Sequence, residues 1–318
     1  MIVYFVRRFL INILLLFLVT FIVYSLANLA PGSPVDYFIN PDIGMSDQQI
    51  QQIKKSMGLD QPMLVRYAKW LDQVVHGNLG YRYVNGDAVL SDIWSAFKNT
   101  LELISAAFIL GSVLGVFLGV FSALHQYSFW DFALTGLSFI GISMPAFVAG
   151  ILGLYFFAVI WKVFPAGGME TVGQRTTLID SLYHLALPAL ILSLGYIATF
   201  MRYTRFSVLE VVRQDFVQVA RAKGLKERVV ITRHILRNAI LPVVTIFGLS
   251  IPNLFIGAVF IETIFSWPGM GTLYLNAVTS SDYPLIMGIN LFAAVFILLS
   301  NMLTDWLYAV VDPRIRYQ

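Results

Sequence analysis

The side chains that could do covalent or metal chemistry are few and scattered in this sequence. It contains no cysteine, which excludes disulfides, zinc–thiolate sites and iron–sulfur clusters. His76, His125, His184 and His234 lie far apart, and none belongs to a His-Glu-x-x-His pattern. The Gly-rich Lys loop that cradles nucleotide phosphates is also missing. We therefore predict a protein that is not an enzyme, with no catalytic residues, no metal site and no cofactor of its own.

The chemistry that the sequence does offer is a dense group of cations in residues 202–242. Nine of the chain's 21 Lys and Arg lie there, against three acidic residues. These cations are Arg202, Arg205, Arg213, Arg221, Lys223, Lys226, Arg228, Arg233 and Arg237. Short loops beside membrane spans carry such an excess of positive charge when they stay in the cytoplasm. Because long apolar segments flank the stretch, we predict a cytoplasmic loop.

Two amphipathic helices are predicted within this loop. Apolar residues recur at helical spacing from Val208 to Ala220. Gly224 then follows as a left-handed C-cap glycine, with Leu225 as its apolar partner. A second helix leads on to Pro242 and back into the membrane. A hairpin of helix, glycine and helix with one apolar face is typical of an element that docks on a partner.

The composition places this loop in a polytopic membrane protein. The chain has 318 residues, of which 58% are hydrophobic and only 12% charged. Soluble domains are about 45–50% apolar and about 25% charged. The mean hydropathy of +0.75 agrees with this class. The basic balance is not a nucleic-acid signature, because the excess charge lies beside membrane spans.

Six transmembrane helices are predicted, and the fold class is all-α. The expected spans are residues 9–30, 103–124, 132–161, 182–201, 240–261 and 283–306. Pro145 is expected to kink the third span, and Pro188 and Pro252 lie inside later ones. Gly111, Gly115 and Gly119 form a ladder of small residues that allows close helix packing, which we expect within this subunit.

Three segments follow from these spans: an N-terminal transmembrane helix (1–30), a polar extracytoplasmic subdomain (31–99), and a five-helix core (100–318) with the loop 202–242. Within the subdomain, Ser46 and Gln49 form a capping box, and a second amphipathic helix is expected over 63–75. Thirteen of the 21 cations fall in the segments assigned to the cytoplasm, so both termini are predicted to be cytoplasmic.

The loop resembles a known coupling element. The run from Asp215 to Leu225, followed by Arg237-Asn238-Ala239-Ile240-Leu241-Pro242, resembles the coupling loop, or EAA motif, of ABC-importer permeases. Gln218 stands where that motif usually has Glu, and Val219 where it has the first Ala. The longer separation of glycine and Leu-Pro resembles the dipeptide, oligopeptide and nickel subclass. Further resemblance in 30–32, 58–62, 77–81, 265–271, 282–284 and 305–314 extends it over essentially the whole chain.

This resemblance implies the fold, partners and contact residues of an ABC type I importer permease in a bacterial cytoplasmic membrane. The implied partners are a second homologous permease chain, two cytoplasmic ABC ATPases that use ATP and Mg²⁺, and an extracellular binding protein that docks near residues 31–99. The implied ATPase-coupling residues are Asp215, Phe216, Gln218, Val219, Ala220, Arg221, Ala222, Lys223, Gly224 and Leu225. The implied outer-gate or binding-protein contacts are Trp267, Pro268, Gly269, Met270 and Gly271.

Two questions stay open at the level of sequence. The cargo could be a dipeptide, an oligopeptide, nickel or a metal–metallophore complex, because the binding protein largely selects it in this family. An ion-gradient-driven secondary transporter is the alternative from another class. It would normally show inverted repeats and ionisable groups deep in the spans. No clear repeat is present, and Glu102, Glu262 and Asp305 lie near span ends, where we expect them to act as interfacial anchors.

Overall fold

A computed structural model describes residues 2–29, 35, 46–56, 58–175, 177–250 and 254–311. The regular elements of these residues are helices, joined by short turns and loops. They are α1 (Ile2–Leu29), α2 (Asp47–Ser56), α3 (Met63–Val75), α4 (Val89–Leu124), α5 (Phe129–Ser143), α6 (Ala146–Gly153), α7 (Leu178–Val212), α8 (Asp215–Ala222), α9 (Glu227–Val229), α10 (Leu236–Ser250), α11 (Leu254–Ile264), α12 (Met270–Thr279) and α13 (Tyr283–Val311). Two π-helical stretches, Leu154–Ile160 and Val230–Ile235, continue α6 and α9.

Four helical stretches of the described chain are long and apolar enough to cross a membrane: Val89–Leu124, Leu178–Val212, Glu227–Ser250 and Tyr283–Met302. A fifth crossing is possible if α5 and the α6 stretch to Ile160 form one broken span. The two pieces bend by 106°, with Pro145 at the N-cap of α6. The predicted proline kink is thus a sharp break. Helix α1 contains the apolar stretch Leu10–Leu26, and the count of six spans stays a prediction.

The described residues fall into two compact units. The first holds the described parts of 1–98 and 272–299. In it, Tyr67 of α3 packs edge-on against Phe21 of α1 at 5.2 Å between ring centroids, and its hydroxyl lies 2.9 Å from the Thr20 hydroxyl. The predicted helix over 63–75 is confirmed, and so is the capping box, since the Ser46 N–H donates to Gln49 Oε1 at 2.9 Å.

The second unit holds the described parts of 99–271 and 300–315, and its core is packed around α4 and α7. A Cβ on Gly115 would lie 2.6 Å from the Cβ of Phe200 and 2.8 Å from the carbonyl oxygen of Ile197. A Cβ on Gly111 or on Gly119 would approach atoms of α7 equally closely. The predicted glycine ladder therefore packs within this chain. At this spacing only glycine lets the two backbones approach without a shift.

Several element boundaries differ from the sequence prediction. Helix α4 begins at Val89 rather than at 103, and α7 runs past the expected end at 201 to Val212. The prediction of one helix from Val208 to Ala220 is wrong, because α7 ends at Val212 and α8 begins at Asp215. Pro252, Asn253 and the tail from Asp312 lie outside the described residues.

The break between α7 and α8 has a packing cause. Val208 and Val217 are both fully buried in the same apolar cluster. Nine residues apart at 100° per residue, they would face opposite sides of a straight helix. Arg213 and the extended Gln214 interrupt the helix and turn α8 so that both valines face inward.

Candidate functional site

The predicted docking element is an exposed hairpin made of α8, Gly224 and the helical run that starts at Glu227. We call residues 215–237 the coupling hairpin. Val217 and Ala220 face inward from α8 and pack with Val208, Val230 and Ile235. This apolar contact anchors α8 to the end of α7 and to the returning helix. The hairpin is therefore a packed part of the second unit rather than a free loop.

Nine of the ten predicted coupling residues are exposed in the chain, and Ala220 is buried. We expected Phe216, Val219 and Ala220 to form the apolar docking face, and the burial of Ala220 excludes it from that face. The coupling role of the other nine residues stays a prediction. Phe216 and Val219 leave 42% and 51% of their surface exposed, and Leu225 adds 41%. Gln218 lies exposed on the same short helix. These three exposed apolar side chains lie within ten residues of one another, and we interpret them as a docking surface.

Gly224 makes the turn of the hairpin. Its φ of +73° lies in the left-handed region that glycine adopts without cost. The Gly224 N–H donates to the Arg221 carbonyl at 2.9 Å, and the Leu225 N–H donates to the Ala220 carbonyl at 3.4 Å. This is the Schellman pattern, and it confirms the predicted C-cap.

Two further contacts hold the hairpin in place. Arg221 Nη2 lies 2.6 Å from Glu227 Oε1 across the turn. Both side chains are substantially exposed, so this ion pair contributes at most about 1 kcal/mol. The buried Ser207 hydroxyl donates to the Ala239 carbonyl at 2.8 Å and joins α7 to α10. The first contact closes the turn of the hairpin, and the second joins the two long helices on either side of it.

A buried ion pair that sequence reasoning missed lies in the same unit. Arg205 of α7 holds Asp131 of α5 with Nε–Oδ1 at 2.7 Å and Nη2–Oδ2 at 2.9 Å. Ser122 donates to the same carboxylate, and so does the Tyr127 N–H at 3.0 Å. Asp131 is only 2% exposed. The cluster joins α4, α5 and α7, and α7 is the helix that leads into the coupling hairpin.

The sequence offered a partial signal for this cluster. Ser128 and Asp131 form a Ser-x-x-Asp pattern, and the Ser128 hydroxyl caps α5 by accepting from the Asp131 N–H. Arg205 was counted only as one of the cytoplasmic cations. Nothing local links it to Asp131, because 74 residues separate the two.

Replacing Arg205 with lysine is expected to lower the apparent melting temperature of the detergent-purified chain by about 5 °C. Lysine keeps the charge, but it cannot reproduce the two-bond fork on a nearly buried carboxylate. Arg202→Lys is the matched control, since Arg202 lies exposed one turn away on the same helix. Equal melting temperatures for the two variants would contradict a structural role for the fork.

A buried turn lies between α11 and α12 and includes the predicted outer-gate residues. Glu262 is fully buried, and its two oxygens accept from the Thr100 hydroxyl at 2.5 Å and from the Gly271 N–H at 2.7 Å. The Met270 N–H donates to the Thr100 hydroxyl at 2.7 Å. The expectation that Glu262 is an interfacial anchor is therefore wrong. Its carboxylate, near the C-terminal end of α11, is the acceptor around which the turn packs.

The other residues of this turn close it around Glu262. Trp267 is buried, and its Nε1 donates to the Asn99 carbonyl at 2.8 Å. The Asn99 amide donates in return to the Pro268 carbonyl at 2.9 Å. A Cβ on Gly269 would overlap the Glu262 carboxylate and the Thr100 hydroxyl. Of the five predicted gate residues only Pro268 is exposed, and their role at the outer surface stays a prediction.

Comparison with known proteins places these features in one family. A family model described as the binding-protein-dependent transport system inner membrane component matches residues 115–317, which contain the coupling hairpin and the buried turn. The chain belongs to this family. A second model, for the N-terminal part of such membrane components, matches residues 1–104.

Full-length relatives agree with this assignment of the inner membrane component. A chain of Brucella suis, provisionally named a peptide permease protein, is 45% identical over 314 residues, 98% of each chain. The oligopeptide transport system permease protein AppB of Bacillus subtilis is 39% identical over 99% of each chain. The dipeptide transport system permease protein DppB of Escherichia coli is 36% identical over 94% of each chain.

A solved structure supports the fold. The crystal structure of an amino acid ABC transporter with histidines aligns with a TM-score of 0.51 over 68% of this chain and 92% of that chain. The two sequences are only 14% identical, so the likeness concerns the fold alone. This inner membrane component is accordingly a multi-pass, mainly helical permease chain of an ABC transporter.

Proposed function

We propose that the chain is the membrane-spanning permease subunit of an ATP-driven importer and forms half of the translocation path for peptides delivered by an extracellular binding protein. The observation that carries the proposal is the coupling hairpin. It presents exposed apolar side chains on a helix that is packed against two long helices. Peptides are the favoured cargo because the relatives named above carry peptide, dipeptide or oligopeptide in their names.

The hairpin would transmit force from a soluble ATPase. Phe216, Val219 and Leu225 supply the apolar area that fits a groove on that partner. Closure of an ATPase pair on ATP would move two such hairpins together. Because α8 is packed on α7 and the returning helix, that motion would pass into the membrane core. One chain offers one hairpin, so the complete importer needs a second, related permease chain and two ATPases.

The proposed topology has six spans, with both termini in the cytoplasm. The spans would be α1, α4, the broken α5–α6 pair, α7, the α10–α11 pair and α13. The distribution of cations supports this orientation, because residues 202–242 hold nine of the 21 Lys and Arg. Residues 31–99 and the turn around Pro268 would then face the binding protein.

Reconstitution tests this function against its alternatives. The tagged chain is purified together with the proteins bound to it and is reconstituted into proteoliposomes. Uptake of labelled dipeptide and of labelled nickel is then measured, either with ATP inside the vesicles or with an imposed ion gradient. ATP-dependent dipeptide uptake and co-purified ATPase subunits are the expected result. ATP-dependent nickel uptake would mean that the cargo is nickel rather than a peptide. Gradient-driven uptake by the chain alone would mean that it is a secondary transporter.

A further inference from the structure

A cavity of about 660 Å³ lies wholly within the first unit and plays no part in the proposed coupling. Its walls come from the C-terminal end of α1, from α2 and α3, from the segment before α4 and from the start of α13. Its volume lies within the range of about 300–1,000 Å³ that is usual for sites of small ligands. The cavity is therefore large enough to hold a ligand headgroup.

The charge of the cavity is positive. Lys54, Arg66 and Lys69 line it, and among the described residues of its wall none is Asp or Glu. Asp282 lies close by in the sequence to the wall residue Tyr283, but it is fully buried and accepts from Arg82 Nε at 3.1 Å and the Tyr83 N–H at 3.3 Å. Three cations in a wall whose described residues include no carboxylate favour an anionic ligand.

Two hydrogen-bond donors in the wall are buried and have no acceptor among the described residues. They are Arg66 Nε and Trp70 Nε1, four residues apart on α3. A buried donor without a partner costs about 1–3 kcal/mol, and more when it is charged. The planar fork of an arginine fits two oxygens of a phosphate or carboxylate. Gln61 Oε1, an acceptor in the same wall, is also buried without a partner, so a ligand that carries an oxyanion beside a hydroxyl would complement all three atoms.

Aromatic rings and an apolar helix face adjoin these cations. Tyr24, Trp70, Tyr83 and Tyr283 line the cavity. Burial raises the pKa of Tyr83 to about 12, with Asp282 and the neighbouring tyrosines adding to the shift, so its hydroxyl stays protonated and neutral. On α1, the exposed side chains of Leu26 and Leu29 stand close in sequence to the wall residues Tyr24 and Asn28.

We propose that this cavity binds the phosphate headgroup of an anionic phospholipid, whose acyl chains lie along the exposed apolar side of α1. Near the cavity that side presents Leu18, Ile22, Leu26 and Leu29, which are exposed and lie within about 80° of one another around the helix. Because α1 is a proposed membrane span, this face lies against acyl chains, and a phospholipid joins that apolar contact to the cations of the cavity as a soluble anion does not. Tyr and Trp at the end of an apolar helix are typical of both membrane–water interfaces, where lipid headgroups lie.

Lipid retention by the purified full-length chain tests the proposal. The chain is reconstituted in nanodiscs of phosphatidylcholine with one fifth phosphatidylglycerol, transferred to mild detergent and analysed by native mass spectrometry. Wild type is expected to retain phosphatidylglycerol in preference to phosphatidylcholine. Arg66→Gln should weaken that retention about tenfold, as expected for the loss of one charged hydrogen-bonding partner.

Two further variants distinguish loss of the cavity's charge from misfolding and from a general loss of charge. Lys69→Gln changes an exposed side chain at the rim, so it reports on the cavity even if Arg66→Gln folds poorly. Lys55→Gln removes an exposed charge of α2 that does not line the cavity, and retention should not change. Equal retention of both lipids, or an equal loss with Lys55→Gln and Lys69→Gln, would overturn the proposal. Displacement of the lipid by equimolar glycerol phosphate or an acidic dipeptide would overturn it in favour of a soluble anion.

Discussion

Replacing Gly224 with valine is expected to reduce ATP-driven uptake at least tenfold while the transmembrane helices stay folded. Gly224 has a φ of +73°, a region that a β-branched residue enters only with strain. No atom lies within 4 Å of the position a Cβ would take, so the cost comes from the backbone and not from a clash. The chain would relieve this strain by changing the turn. Phe216 and Val219 would then no longer fit the ATPase groove that we propose.

The measurement is labelled dipeptide uptake beside ATP hydrolysis in the reconstituted complex. Gly173→Val is the matched control, because Gly173 has a φ of +83° and equally open surroundings but lies in the loop before α7. Gly224→Asn should retain most of the uptake, since asparagine tolerates the left-handed region. Uptake and ATPase recruitment at wild-type levels in Gly224→Val would refute the coupling role of this turn.

Features encoded by neighbouring residues could be predicted from the sequence. The cap at Gly224 requires only a helix that ends and a residue that accepts positive φ. The capping box at Ser46 and the helix over 63–75 depend on spacings of three and four residues. The glycine ladder follows from a four-residue repeat, although only the structure identifies α7 as its partner. In each case the residues that reveal the feature lie close together in the sequence.

Features that depend on distant partners could not be predicted in this way. The register of α8 is set by Val230 and Ile235 of the returning helix, so Val217 and Ala220 face inward, although Ala220 was expected on the docking face. Arg205 was indistinguishable by charge from its exposed neighbours. A single sequence carries no information about which carboxylate a cation will meet after folding.

Replacing Glu262 with alanine is expected to lower the stability of the detergent-purified chain by about 4 kcal/mol, or about 10 °C in apparent melting temperature. The change removes the acceptor of two buried donors, the Thr100 hydroxyl and the Gly271 N–H. Each buried donor left without a partner costs about 1–3 kcal/mol. The truncated side chain also leaves a cavity beside Gly269, which adds to the loss.

Glu262→Gln separates hydrogen bonding from packing. Glutamine keeps the shape but has one acceptor oxygen, so its NH₂ group would face one of the two donors and the loss should be about half that of alanine. Glu102→Gln is the control, because Glu102 lies on α4 two residues beyond Thr100 and is exposed. If Glu262 were only an interfacial anchor, its variants would melt like Glu102→Gln. If Glu262 is the buried acceptor that closes the turn, the melting temperature should rise from Glu262→Ala to Glu262→Gln to wild type. Glu102→Gln should melt at the wild-type temperature.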